Sequence, residues 1–342
     1  MQKPLIKLRF QNGLNFTDFG REVFAIEGLD EHFHFIESDE PDFIIFGPYG
    51  NDLPQPGNYI RVGYHCENFT PDLTICDWAF GVPLESEINH PRYKRIQWHG
   101  TDPQSLIKPA DYDAAAIAGS KTGFCNFLYS HKVPYREYFF KQLSKYKKVD
   151  APGRSMNNMP GIDSFYTGTI WERKGSFLGS YKFTIAFEND IYPGYQTEKL
   201  YDAMQANSIP IYCGDPYVGE IFNTASFINA GDLIDIDKGW IAALAKASQP
   251  DFNDIRPSFY HTIPQRIKRK LKTVGREAKV HLQLDQKAVN KMVDRVIELD
   301  SDSKKYREML AQPWFIGNEP PLNGSSKERW IKIFSEIKHR DR

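Results

Sequence analysis

Residues 181–216, YKFTIAFENDIYPGYQTEKLYDAMQANSIPIYCGDP, constrain the fold more than any other stretch of this chain. Phe183, Ile185, Ala186 and Phe187 form an apolar run too short for a helix, which fits a buried strand. Glu188 and Asn189 end the run, and Pro193-Gly194 supplies turn chemistry. From Thr197 the period changes. Leu200, Ala203 and Met204 recur at three and four residues, which predicts a helix with Thr197 as N-cap, its oxygen on the free N–H groups. Residues 209–212 return as a strand that Gly214-Asp215-Pro216 stops. A strand–loop–helix–strand unit of this kind builds a parallel sheet, so the sequence predicts an α/β protein.

The loop at the head of that helix carries chemistry. Gly194 lets backbone approach a ligand, and a helix start offers free N–H groups and partial positive charge. Lys199 adds a full charge within one turn, and Glu188 and Glu198 stand by as acceptors for sugar hydroxyls. The pattern fits a diphosphate site; it also fits an ordinary βαβ unit with a solvated Lys and Glu.

Three linked motifs narrow this choice: Phe187-Glu188-Asn189, then Gly194-Tyr195-Gln196-Thr197-Glu198-Lys199, then Ile209-Pro210-Ile211-Tyr212-Cys213-Gly214. Their order and separation resemble the signature of the α1,3/4-fucosyltransferases, glycosyltransferase family 10. The resemblance implies a GT-B fold, with two Rossmann-like α/β domains facing a cleft. It also implies transfer of L-fucose from GDP-β-L-fucose to a sugar hydroxyl.

The length of 342 residues accommodates two domains. Lys and Arg number 43 against 44 Asp and Glu, a balance that argues against a nucleic-acid binder. Aromatic residues make up 14%, which suits either sugar stacking or a well-packed core. No signal-peptide run opens the sequence, and no apolar stretch reaches bilayer-spanning length. The expectation is therefore a soluble bacterial-type enzyme, cytoplasmic or peripheral on the inner membrane. The four cysteines lack metal-ligand spacing and are expected reduced; a Cys66–Cys76 disulfide remains open for an exported protein.

In the first half, strands are expected at 5–10, 32–36, 42–46, 59–64 and 73–78, with a mixed connection over 16–29. His32 and His34 alternate as metal ligands on a strand do, but without a partner a solvated face explains them better. Glu67 follows a strand directly, where ligands bind in open α/β sheets. A helix-capping or solvated role fits Glu67 locally; the resemblance implies the general base that takes the proton of an attacking alcohol. Trp78, Tyr93 and Trp98 are candidates for stacking on the acceptor or for core packing.

In the second half, 123–129 reads as a strand and 135–147 as a helix. Arg136 lies in the first turn, where it opposes the helix dipole unless an anion sits between them. The resemblance implies a phosphate contact there; a surface Arg is the alternative. Residues 149–158 resemble the family's glycine-rich loop, 171–180 reads as turn-rich, and 225–229 as a strand. Asp235-Ile236-Asp237 has the D-x-D form of a metal site but is better explained as turn and cap, and Asp111 and Asp113 as loop residues. No catalytic metal is expected, Arg136, Lys199 and the helix start taking its place. The basic run 266–279 is either a solvated helix or a face for anionic lipid. Trp330, Ile333, Phe334 and Ile337 form an apolar stripe that either docks back or attaches to a membrane.

The domains expected are an acceptor-binding domain at 1–118, a GDP-fucose-binding domain at 119–312 and a helical tail at 313–342 packing on the body. The implied roles are Glu67 and Glu198 as catalytic carboxylates, with Arg136, Glu188, Asn189, Tyr195, Glu198 and Lys199 binding the donor. The partners are GDP-fucose, an oligosaccharide acceptor and, through basic or amphipathic C-terminal segments, a membrane surface. The product is Lewis-antigen-like, fucose being joined with inversion to O3 of GlcNAc in N-acetyllactosamine-type glycans. The rivals are a GT-B enzyme for another nucleotide sugar and a non-enzymatic glycan-binding protein.

Overall fold

The computed structural model describes residues 3–233, 239–321 and 324–336. Asp235, Ile236, Asp237 and Ile337 lie outside the described residues. The chain divides into two compact units, one of Met1–Asp102, Lys246–Gly275 and Leu322–Arg342, the other of Pro103–Ala245 and Arg276–Pro321. This differs from the linear division expected: 103–118 falls in the second unit, while 246–275 and the tail from 322 return to the first.

The first unit holds six parallel strands: β1 (Leu5–Gln11), β2 (His34–Glu37), β3 (Phe43–Phe46), β4 (Ile60–His65), β5 (Trp78–Gly81) and β6 (Tyr93–Arg95). Their order is β2-β1-β3-β4-β5-β6. β3 reads FIIF because both faces of a parallel strand are buried. Phe43 and Ile45 enter one core with Trp330, Ile333 and Phe334, while Phe46 enters the other with Ala79 and Phe252. The Trp330 ring stacks on Phe80 at 4.1 Å, so the helix Lys327–Ser335 is part of this unit's core.

Several expectations shift. β2 starts at His34, so His32 and His34 do not share a strand. The strand expected at 73–78 starts at Trp78, because Asp72 holds a turn by accepting from Thr74 N at 2.9 Å. The 16–29 connection contains the short helix Phe16–Phe19 and a wider turn at Gly20–Phe24.

The second unit holds β7 (Gly123–Asn126), β8 (Val149–Asp150), β9 (Tyr181–Phe187), β10 (Ile209–Cys213) and β11 (Ile228–Asn229), all parallel. Their order is β11-β10-β9-β7-β8. Stretch 171–180, expected as turns, lies within the helix Ile170–Gly179 and its C-cap Ser180. A capping box starts that helix: Thr169 N donates to Glu172 Oε2 at 2.7 Å and Glu172 N to Thr169 Oγ1 at 3.2 Å. The helix expected at 135–147 is Pro134–Leu143, with Phe139, Phe140 and Leu143 buried.

In each unit the first strand lies between the second and third, the doubly wound order whose crevice opens beyond the strands' carboxyl ends. That point falls between β1 and β3 in the first unit and between β7 and β9 in the second. None of the four cysteines, Cys66, Cys76, Cys125 and Cys213, is in a disulfide. No helix among the described residues is long and apolar enough to cross a membrane.

Candidate active site

At the carboxyl end of β9 in the second unit, Glu188 joins two cations. Arg136 Nη2 donates to the Glu188 carbonyl at 2.9 Å and to Asn189 Oδ1 at 2.7 Å. The side chain is not the surface Arg of the alternative: Arg136 is 1% exposed, and its guanidinium lies 3.8 Å from the Tyr129 ring centre. Tyr129 is itself fixed, its hydroxyl accepting from Phe187 N at 2.7 Å and donating to Ile185 O at 2.7 Å. Tyr135 also donates to the Glu188 carbonyl. The 149–158 loop reaches the same place, with Ser155 N on Tyr129 O at 3.0 Å.

The Glu188 carboxylate is wholly buried and faces Lys199 Nζ at 3.3 Å. It accepts from Thr197 N at 2.8 Å and from the Thr197 hydroxyl at 2.8 Å. That hydroxyl accepts in turn from Lys199 Nζ at 2.8 Å. Thr197 is therefore the N-cap by backbone only, which corrects the expectation of a side-chain cap. The reason is competition: a carboxylate and an ammonium engage a hydroxyl more strongly than neutral backbone does. The helix Glu198–Gln205 is left with no side-chain cap on its first N–H groups, which carry the positive end of its dipole.

Glu198 lies 3.2 Å from Lys199 and its side chain is 40% exposed. Burial would lower the Lys199 ammonium, but the charges of Glu188 and Glu198 outweigh it and hold it above its ordinary value. Burial would raise the Glu198 carboxyl, but the charges of Lys199 and Lys174 bring it down to about 2. Glu188 is raised, its burial outweighing the Lys199 charge. At neutral pH Lys199 is a cation and Glu198 an anion.

Two glycines permit this packing. Gly194 has φ +78, a conformation that suits glycine, and its N–H donates to Asp215 Oδ1 at 2.8 Å. A Cβ on Gly214 would lie 2.5 Å from Glu188 Cγ. Arg136, Glu188, Asn189, Glu198 and Lys199 thus form one connected group. Tyr195 is buried instead, its carbonyl accepting from Tyr212 OH at 3.2 Å. Of the basic run, Lys279 is buried too, pairing with Asp190 at 2.7 Å and donating to Ile191 O at 2.8 Å.

In the first unit, Glu67 lies two residues beyond β4 and lines a cavity of about 230 Å³. Asn12 and Gly13 after β1, and Pro48 and Tyr49 after β3, line it too, so the cavity occupies that sheet's crevice. Tyr49 OH donates to Glu67 Oε1 at 2.8 Å. Burial and the Glu67 charge both raise the Tyr49 phenol, which therefore stays a donor. His99 Nδ1 lies 3.3 Å from Tyr64 OH, and His99 Nε2 lies 3.4 Å from Glu22 Oε2. The sequence reading missed Tyr49 and His99. Tyr49 had a signal, since Gly47-Pro48 ends the strand next to the one that Glu67 follows. Trp78, Tyr93 and Trp98 are buried, as core residues are. Asp113 is a cap, accepting from Ala115 N and Ala116 N at 2.9 Å.

Two family descriptions match this chain. "Alpha-(1,3)-fucosyltransferase FucT N-terminal domain" matches residues 9–99, and "Glycosyltransferase family 10 (fucosyltransferase) C-term" matches residues 119–245. The alpha-(1,3)-fucosyltransferase FucT of Helicobacter pylori is 36% identical over 212 residues, covering 53% of this chain and 43% of that protein. A gorilla 4-galactosyl-N-acetylglucosaminide 3-alpha-L-fucosyltransferase is 38% identical over 80 residues, 23% of this chain and 20% of that protein. The chain spans less than half the length of the curated relatives it matches. The crystal structure of an α1,3-fucosyltransferase with GDP-fucose superposes with a TM-score of 0.64 at 19% identity, covering 100% of this chain and 93% of that one. That likeness gives this chain the GT-B fold. With both halves matched by fucosyltransferase descriptions, the chain belongs to glycosyltransferase family 10.

Proposed function

We propose that this protein transfers L-fucose from GDP-β-L-fucose to a sugar hydroxyl with inversion, without a catalytic metal. The observation that carries the reading is the meeting of Arg136 and Lys199 on Glu188, beside a helix start that no side chain caps. Positive charge fixed in advance stabilises a leaving diphosphate, because no reorganisation is needed as the charge grows. Lys199 and the helix N–H groups face the phosphates. Arg136 acts from below as a buried charge, and Asn189 and Glu198 accept from donor hydroxyls. Glu188 is buried, so its part is to hold Lys199 and Thr197 in place.

In the reaction, the acceptor oxygen forms a bond to the fucose anomeric carbon as the carbon–oxygen bond to the β-phosphate breaks. The hydroxyl proton passes to Glu67, which Tyr49 orients, and the bonding electrons leave with GDP. Glu198 balances the positive charge that develops on the sugar ring. The acceptor we assign is O3 of GlcNAc in N-acetyllactosamine-type glycans, giving a Lewis-antigen-like product; the gorilla relative's name supports it.

The location proposed is cytoplasmic, with peripheral contact to the inner membrane. The last helix does not supply that contact, since Trp330, Ile333 and Phe334 are buried.

The test is incubation with N-acetyllactosamine and a panel of nucleotide sugars in excess chelator. Fucosylated product from GDP-fucose alone is expected. Product from another nucleotide sugar, or product only after metal is restored, overturns the corresponding part. Glycan binding that ignores GDP, with no product, points to a binding protein.

A further inference from the structure

The helix Ile263–Gln283 is turned inside out over its first three turns. Ile263, Ile267, Leu271 and Val274 are 54% to 73% exposed. At about 100° per residue they share an arc of roughly 80°. Phe259 and Tyr260, just before the helix, are exposed as well, their rings 4.3 Å apart. Charged groups hold the helix to its unit instead: Lys268 and Lys272 reach Asp251 at 2.9 and 3.0 Å, and Lys272 reaches Asp254 at 2.6 Å. A helix of a water-soluble domain normally does the opposite, burying its apolar stripe and wetting its charged one.

Cations edge the exposed stripe. Arg266 and Lys270 are exposed on one side and have no ion pair among the described residues. Lys268 lies on the other side, its charge shared with Asp251.

We propose that this face, with Phe259 and Tyr260, docks on an anionic lipid surface. The aliphatic side chains would enter the headgroup–acyl boundary, the aromatic pair would sit at the interface, and Arg266 and Lys270 would meet lipid phosphates. Charge selects this occupant. A two-fold contact with a second copy would press Arg266 and Lys270 toward their own counterparts, whereas anionic headgroups neutralise them. The inference stands apart from sugar transfer and is tested without substrate.

The experiment is flotation of the full chain with vesicles of phosphatidylcholine plus phosphatidylglycerol, against phosphatidylcholine alone, at low and high salt. Co-flotation with the anionic vesicles is expected, weakened by salt. Leu271→Glu should lower the partition coefficient about tenfold or more. Arg266→Gln and Lys270→Gln should each lower it about fivefold. All three positions are exposed, so the thermal midpoint should not move; should Leu271→Glu misfold, the two cation variants and the salt arm still decide. No binding to anionic vesicles, equal binding to neutral ones, or binding that ignores all three substitutions overturns the proposal. So does a concentration-dependent dimer that Leu271→Glu disrupts, with no lipid bound.

Discussion

The two candidate sites occupy the same place in sheets of the same strand order, yet they are built in opposite ways. In the second unit Lys199 pairs with Glu188 and Glu198 while Arg136 donates to the Glu188 carbonyl inside a tight network, and the phenols of Tyr129 and Tyr135 fix the backbone beneath them. In the first unit Glu67 has the Tyr49 hydroxyl as its partner and faces a cavity. The difference follows from the tasks proposed. A site for a departing diphosphate gains from charge held rigidly in place, whereas a base must be free to take a proton and give it up. Substitutions in the second unit should therefore cost both stability and rate, and those around Glu67 mainly rate.

Lys199→Met tests that contrast most severely. It leaves Glu188 buried without its cation, so stability should fall by about 3–5 kcal/mol and transfer by about a thousandfold or more. Chemical denaturation and a transfer assay check the pair of effects. A stable variant with little activity would mean that the network is catalytic without being structural.

The next effect concerns pH. Burial pushes the His65 imidazole from 6.5 down to about 3. The unfolded chain therefore binds a proton that the folded chain refuses, and the first unit loses stability as pH falls below about 6.5. By pH 5 the loss from this group is about 2 kcal/mol, and His65→Phe should flatten that part of the curve. Unfolding midpoints that fall equally in wild type and variant would remove His65 as the cause.

The smallest effect expected is that of Tyr49→Phe. Losing a hydrogen bond to an ionised carboxylate is worth about 1.5 kcal/mol, or roughly tenfold in turnover. Turnover should fall with KM unchanged, because the Glu67 carboxylate loses the donor that orients it. A changed KM with unchanged turnover would show Tyr49 touching the acceptor instead.

The second unit was the more legible in sequence. Its β9, helix Glu198–Gln205 and β10 follow from the change of period at Thr197, and the linked motifs named four residues, Glu188, Asn189, Glu198 and Lys199, that the fold does connect to one another and to Arg136. Two details were hidden. The Thr197 hydroxyl turns to Glu188 and not to its helix, and Tyr195 is buried; both depend on long-range packing that local pattern cannot express. The first unit was harder to read, because its core is closed by Trp330 and Phe252, far along the chain. The partnership of Tyr49 and Glu67 joins two loops that only the sheet's register brings together.

The central claim separates a gripping site from a proton-accepting one. The most direct measurement is GDP binding by calorimetry, paired with transfer rate, for Glu67→Gln. The account predicts GDP affinity equal to wild type and a transfer rate lower by about two to four orders of magnitude. A variant that keeps its full rate, or that loses GDP affinity in step with it, contradicts the account.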